Sequence, residues 1–318
     1  MPTFLINRDV AKDLLNIPDV IRVVEDAFRV WAQDKGNMPA KAYLVVEKGD
    51  FRAMPAALSG AAGMKWVNVH PNNPSQGLPT VMAVLIYSDP ETGYPLAVMG
   101  ATEITAYRTG ATAAIASKYL ARQDSHILGI IGAGRQAYTQ ILAHAEAFDL
   151  RLVKVFDCSR AAIERLIKSL PSRPLKECSL EEAIASDIVC TLTPSRIPLV
   201  KKEWVIPGTH INAIGADAEG KEELEPSILR KAIVVVDDLS QASAAGEINV
   251  PITRGLFTID EVYATLGEII VGEKQVRTDE KVVTVFDSTG VAIADIAIAK
   301  LIYDKAKQAG SYMSVDLV

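Results

Sequence analysis

The spacing of apolar positions changes along the chain, and each change predicts a different kind of structure. An apolar run at 4–6 predicts a short strand, and a helical stretch over 9–16 follows. Pro18 and Asp19 open a second helix, in which Val20, Val23, Val24, Ala27, Phe28 and Trp31 recur at helical spacing until Gly36 stops it. The rhythm then shortens to that of strands, over 43–46, 51–54, 64–69, 81–87 and 96–99. Turn signals at 48–50, 59–60 and 89–93 separate most of them. A longer loop over 70–79, with Asn72, Asn73, Pro74 and Gly77, is of the sort that carries function. A mostly antiparallel sheet with helices is the natural reading of this region.

An alanine-rich helix over 102–121 connects it to a second region, where strands and helices alternate. Strands are predicted over 127–131, 153–157, 188–193, 210–214, 233–237 and 282–286, and helices over 138–148, 161–170 and 180–185. Such alternation implies right-handed crossovers and a parallel sheet covered on both faces. The expected class is α/β, with a Rossmann-type doubly wound parallel sheet domain plus a smaller α+β domain. A last helical pattern over 291–307 has nothing that ties it to the second region, so it is free to return to the first. The domains expected are 1–120, joined by the returning 297–318, and 121–296.

Composition narrows the function classes. At 318 residues, two domains are the prior, and 49% hydrophobic with 23% charged residues reads as a compact soluble protein. A net charge of −6 argues against nucleic-acid or anionic-membrane partners. The apolar run in 1–9 is too short for a signal peptide, and no stretch approaches the roughly 20 apolar residues of a membrane span. Cys158, Cys178 and Cys190 are an odd count without metal spacing, as expected of a reduced cytoplasmic protein. His70, His126, His144 and His210 form no close pair on a helix, so metal-free chemistry is the default.

The second region opens on Gly132-Ala133-Gly134-Arg135-Gln136-Ala137, between a buried strand and a helix. Gly132 allows a tight turn, Gly134 lets the backbone approach phosphates, and Ala137 keeps helix and strand close. The free N–H groups of the helix start then face an anion. Asp157, ending the next strand, has the spacing of a ribose-binding carboxylate. It suits both ribose hydroxyls of NAD and repels the extra phosphate of NADP, although Arg160 nearby softens that preference. The other strand ends are also small, hydroxyl-bearing or acidic: Thr193-Pro194-Ser195, Gly215-Ala216-Asp217 and Asp287-Ser288-Thr289-Gly290. Turns use such residues anyway, yet all of them on one edge favour a binding crevice.

If the second domain holds the cofactor, the first must hold the substrate. Alternation places Lys65 on the face of Val67 and Val69, and Arg52 on the face of Met54. A cation on an apolar face is costly unless paired, so each is a candidate anion ligand; a snorkelling side chain is the plainer reading. Arg108 shares its helix face with Ile104, Ala111 and Ile115. Three such cations would suit a carboxylate substrate.

Several strings are specific enough to carry a resemblance. Phe51-Arg52-Ala53-Met54-Pro55, Lys65-Trp66-Val67-Asn68-Val69-His70-Pro71, Arg108-Thr109-Gly110-Ala111, the glycine turn, His210-Ile211-Asn212-Ala213-Ile214-Gly215-Ala216-Asp217 and Phe286-Asp287-Ser288-Thr289-Gly290 resemble the ornithine cyclodeaminase/mu-crystallin family. Within it the chain resembles the archaeal-type NAD-dependent alanine dehydrogenases. The resemblance implies a homodimer built through the first domain, with the C-terminal helix returning there. It also implies that Lys41 or Arg52, with Lys65 and Arg108, holds a substrate carboxylate, and that Thr289 lies at a position tied to side-chain specificity. Thr80, Arg108, Arg135, Gln136, Asp157, Thr193, Lys221 and Ser288, with the Ile214–Asp217 backbone through Gly215 and Ala216, match positions that contact the dinucleotide. Asp217 matches an acid that moves protons in the cyclodeaminases.

One departure bears on substrate. Ornithine-using members of the family have a glutamate just ahead of the Met-Pro, where this chain has Arg52. A guanidinium against the distal ammonium of a diamine costs on the order of several kcal/mol at close range, which argues against ornithine or lysine. The expected activity is reversible, NAD-dependent oxidative deamination of a small L-amino acid, L-alanine above others, with Lys65 and Asp217 sharing the proton transfers in either order. Alternatives within the family are a cyclodeaminase-type lyase that uses NAD catalytically, and a ketimine reductase or non-catalytic dinucleotide binder.

Overall fold

The computed structural model describes residues 2–277 and 279–317. In chain order the strands are β1 Thr3–Ile6, β2 Ala42–Val46, β3 Gly49–Leu58, β4 Ala61–Val69, β5 Val81–Ser88, β6 Pro95–Gly100, β7 Ile127–Ile131, β8 Leu152–Phe156, β9 Leu175–Glu177, β10 Ile188–Thr191, β11 His210–Ala213, β12 Ile233–Val236, β13 Ala264–Thr265, β14 Thr284–Asp287 and β15 Met313–Val315. The helices are α1 Arg8–Leu14, α2 Ile17–Ala32, α3 Thr102–Leu120, α4 Arg135–Ala147, α5 Arg160–Ser169, α6 Leu180–Ile184, α7 Pro226–Leu229, α8 Leu239–Ala245, α9 Asn249–Thr253, α10 Leu266–Ile270 and α11 Ala292–Ala309. No helix among the described residues is long and apolar enough to cross a membrane.

Two compact units divide the chain at Arg108/Thr109 and at Gly290/Val291. The sequence places these joints later, at 120 and 296. The first moves because Gly110 brings the rest of α3 against α4, where an added Cβ would lie 2.5 Å from the Thr139 carbonyl oxygen. The second moves because Gly290, at φ +81°, is pinned to the second unit by its N–H, 2.7 Å from Asp237 Oδ2.

The first unit is a seven-stranded sheet ordered β15-β1-β6-β5-β4-β3-β2. Its pairs are antiparallel except β1 with β6, which run parallel. Asn16 caps α2 by accepting from the Asp19 N–H at 2.9 Å, and α2 buries Val20, Val24, Ala27 and Phe28. The helix stops at Ala32, short of Gly36, because Asp34 already turns the backbone left-handed at φ 56°. α11 lies on β3 and β4 and beside α2, within this unit. Such burial on nearly every side explains its alanine and isoleucine content: every residue from Ala292 to Ala299 is buried.

The second unit is an eight-stranded, wholly parallel sheet ordered β13-β12-β14-β11-β10-β7-β8-β9. Leu128, Ile130, Val153, Val155 and Ile188 fill the core under α4 and α5, while Val189, Ile211, Val234 and Val285 fill the opposite face. Gly129 is obligatory in β7, since a Cβ there would sit 2.0 Å from the Ala183 carbonyl oxygen. His144 and His210 belong to a buried polar layer: Asn212 Nδ2 donates to Ser117 Oγ at 2.8 Å, and His210 Nδ1 lies 2.8 Å from Thr284 Oγ1. Burial pushes His144 down to about 4 and His210 down to about 3, so both are neutral structural groups at physiological pH.

Candidate active site

In the second unit the strand order reverses between β7 and β10, and their carboxyl ends form the switch point where open parallel sheets bind ligands. Gly132 makes the turn there at φ +102°, its N–H donating to the Phe156 carbonyl at 2.8 Å. A Cβ at Gly134 would meet no atom within 4 Å, so the turn faces open space. α4 starts directly from that turn at Arg135, three residues earlier than its apolar spacing indicates, and no side chain caps it. Gln136 Oε1 is buried there without a hydrogen-bond partner among the described residues. Asp157 accepts from the Ala133 and Ser159 N–H groups, both at 2.7 Å, and each oxygen keeps a second lone pair. An open glycine turn, uncapped helix N–H groups and an adjoining carboxylate fit a dinucleotide.

The remaining residues expected to meet the dinucleotide in this unit, and Thr289, expected to meet substrate, share the carboxyl edge. Thr193 follows β10, Ile214, Gly215, Ala216 and Asp217 follow β11, and Ser288 and Thr289 follow β14. Lys221 Nζ lies 2.5 Å from Asp217 Oδ1, so this acid is held by a cation. Thr289 Oγ1 donates to Asp237 at 3.0 Å and Ser288 Oγ to the same carboxylate at 3.3 Å. Arg160 pairs with Glu164 at 3.3 Å.

In the first unit the pleat places Arg52 and Lys65 on one face: Arg52 is opposite Val67, and Met54 is opposite Lys65. Lys65 is fully buried, and its Nζ donates to Asp295 Oδ2 of α11 at 2.7 Å. Arg108 Nε stands 3.4 Å from Asp295 Oδ1. Burial, first of all, pushes the Lys65 amine down to about 7; Asp295 pulls it up again, while Arg108 and Lys41 push it further down. Arg52 donates through Nε to Asp50 at 2.7 Å and lies over the Tyr43 ring. Both sheet cations thus come with a carboxylate. Thr80 ends the loop before β5, and its carbonyl accepts from the His70 N–H at 2.8 Å.

Residues 2–310 match the ornithine cyclodeaminase/mu-crystallin family. The chain belongs to that family. An alanine dehydrogenase from Archaeoglobus fulgidus is 50% identical over 315 residues, covering 98% of both chains. A solved archaeal alanine dehydrogenase dimer with bound NAD superimposes with a TM-score of 0.98 at 48% identity, with the whole of each chain covered. The Thermococcus litoralis Delta(1)-pyrroline-2-carboxylate reductase in complex with NADH and L-proline has a TM-score of 0.95 at 37% identity, covering 98% of this chain and 100% of its own.

Three carboxylates of this cyclodeaminase-family chain escaped the sequence reading. Asp50 and Asp295 neutralise cations that pattern alone left without partners. Glu223 gathers the strand ends of the second unit: Oε1 accepts from the Thr193 N–H and Oγ1, both at 2.7 Å, and Oε2 from Thr191 Oγ1 at 2.7 Å and the Gly215 N–H at 2.9 Å. A lone acid inside an apolar helix is the signal that points to Asp295; Glu223 sits in a charged run and sends none.

Proposed function

We propose that the chain catalyses the reversible, NAD-dependent oxidative deamination of L-alanine to pyruvate and ammonia. The observation that carries the proposal is a fully buried lysine held near neutrality among cations, in a chain half identical to an alanine dehydrogenase throughout its length. Arg108, with Lys41 or Arg52, binds the substrate carboxylate. Neutral Lys65 accepts a proton from the substrate amine and returns protons as the amine leaves; a group titrating near 7 can do both. Asp217, held by Lys221, orients the attacking water. NAD, when bound on the glycine-turn edge, supplies the hydride acceptor. The Gly132–Gln136 turn holds its phosphates, and Asp157 its ribose.

Enzyme given NAD and L-alanine should accumulate NADH and ammonia one for one. Ammonia from ornithine with the NAD pool left oxidised and alanine untouched would make it a cyclodeaminase instead. Rapid reduction of Delta(1)-pyrroline-2-carboxylate without alanine turnover would favour the reductase reading, which the likeness to the Thermococcus enzyme supports. Because the base must be neutral, kcat/KM for alanine should rise about tenfold per pH unit up to an inflection near 7, then level. A profile flat from pH 6 to 8 removes Lys65 from the mechanism.

We infer a homodimer through the first unit. The sheet face away from α11 exposes Trp66 and Val84, which are paired across the strands, and Ile86 beside them. Leu44 extends the patch on β2 at 54% exposure, and a contiguous apolar face of this kind marks a protein–protein contact. Trp66→Glu should halve the mass seen by light scattering; an unchanged mass rules this face out. A cytoplasmic location is supported by three free cysteines, Cys158 among them exposed.

A further inference from the structure

We propose that Asp295 is the positioning residue for proton transfer: one oxygen fixes Lys65 Nζ and the other orients the guanidinium of Arg108. The inference rests on Lys65 being the proton-transfer group. Asp295 comes from α11, 230 residues beyond its lysine, and is itself fully buried. Its Oδ2 lies 2.7 Å from Lys65 Nζ. Its Oδ1 has no hydrogen-bond partner among the described residues, and neither has Arg108 Nε, although the two stand 3.4 Å apart. A small turn of the guanidinium closes that bond. The Nε edge of Arg108 is thereby committed to Asp295, and the opposite edge of its planar fork stays available for a substrate carboxylate.

Every charged group acting on Lys65 bears on the same point. Arg108 from α3 and Lys41 from the segment before β2 disfavour its protonation, as burial does, and among the described residues Asp295 alone favours it. The neighbours opposite Lys65 in the sheet, Met54 and Leu85, are apolar and supply no charge. Without Asp295 the amine would stay neutral well below pH 7 and become a poor proton acceptor. With it, the lysine can take and give a proton at working pH.

Asp295→Asn keeps the shape and removes the charge. The inflection of kcat/KM for alanine should move at least one pH unit toward acid, and the plateau kcat should fall at least tenfold. NMR titration of the enzyme carrying 13Cε-labelled lysine, with Lys65→Arg to assign the signal, should show the same acid shift without substrate. An unmoved Lys65 titration in Asp295→Asn overturns the proposal, even if activity falls. A moved titration that alanine kinetics ignore overturns the proposal at its premise: Asp295 then tunes Lys65, but Lys65 is not the proton-transfer group. Asp295→Glu, which keeps a carboxylate, tests the point if the amide does not fold. Its Lys65 should still titrate within about half a unit of the parent, because the carboxylate charge that favours the protonated amine is kept; a larger shift also overturns the proposal.

Discussion

Replacing Lys65 by methionine is expected to lower kcat/KM for L-alanine by about 10²–10⁴-fold, the range a positioned general acid–base group contributes. Methionine preserves the buried stem, so the loss reports the missing amine and not a cavity. The substitution also leaves Asp295 buried without the cation at its Oδ2. Arg108 still faces its other oxygen at 3.4 Å, so the cost of the buried charge stays below the about 3–5 kcal/mol of a fully broken buried pair, and the thermal midpoint should fall as well. Lys65→Met combined with Asp295→Asn removes that charge and should regain much of the midpoint while staying inactive. Recovery of activity in the double variant would mean that the single variant failed by misfolding, and that Lys65 moves no proton. NAD affinity is the control: the glycine turn and Asp157 belong to the second unit, and both substitutions lie in the first.

The parts of the site readable from sequence are those set by local chemistry. Gly132 and Gly134 announce themselves because only glycine takes φ +102° at the first and leaves open backbone at the second. Lys65 and Arg52 stand out because period-two alternation puts a cation where an apolar residue belongs. Their partners are not readable in the same way. Asp295 is 230 residues from Lys65, and nothing local in an alanine-rich helix says which strand it will face. Glu222 and Glu223 follow Lys221 in what reads as a solvated turn, yet both are fully buried. The joint inside α3 was hidden for a similar reason, because apolar spacing continues unchanged from Ile104 to Ile115 while the residues serve different cores. Strands β9 and β13, three and two residues long, are too short to show any period.

Glu223 carries the largest effect expected outside the first unit. Each carboxylate oxygen accepts one backbone N–H, Thr193 at 2.7 Å on Oε1 and Gly215 at 2.9 Å on Oε2. A glutamine must turn its NH₂ toward one of these N–H groups, and a backbone donor cannot be reversed. Glu223→Gln therefore leaves a buried donor unsatisfied in either orientation, at a cost of about 1–3 kcal/mol. For a unit of this size that lowers the thermal midpoint by about 2–12 °C. Burial pushes the Glu223 carboxyl up, and so does it for Glu247, whose oxygens accept from the Glu223 N–H at 2.9 and 3.0 Å. The hydrogen bonds from Thr191, Thr193 and Gly215 pull Glu223 back toward the ionised form. Space is equally tight: a Cβ on Gly215 would stand 2.1 Å from the Thr193 carbonyl oxygen, so these two strand ends have one arrangement only. Since Thr193 and Gly215 are on the proposed dinucleotide edge, NAD should bind Glu223→Gln at least tenfold more weakly by calorimetry, a loss of about 1.4 kcal/mol. A variant with the parent's midpoint and NAD affinity would show that the strand ends hold their places without this carboxylate.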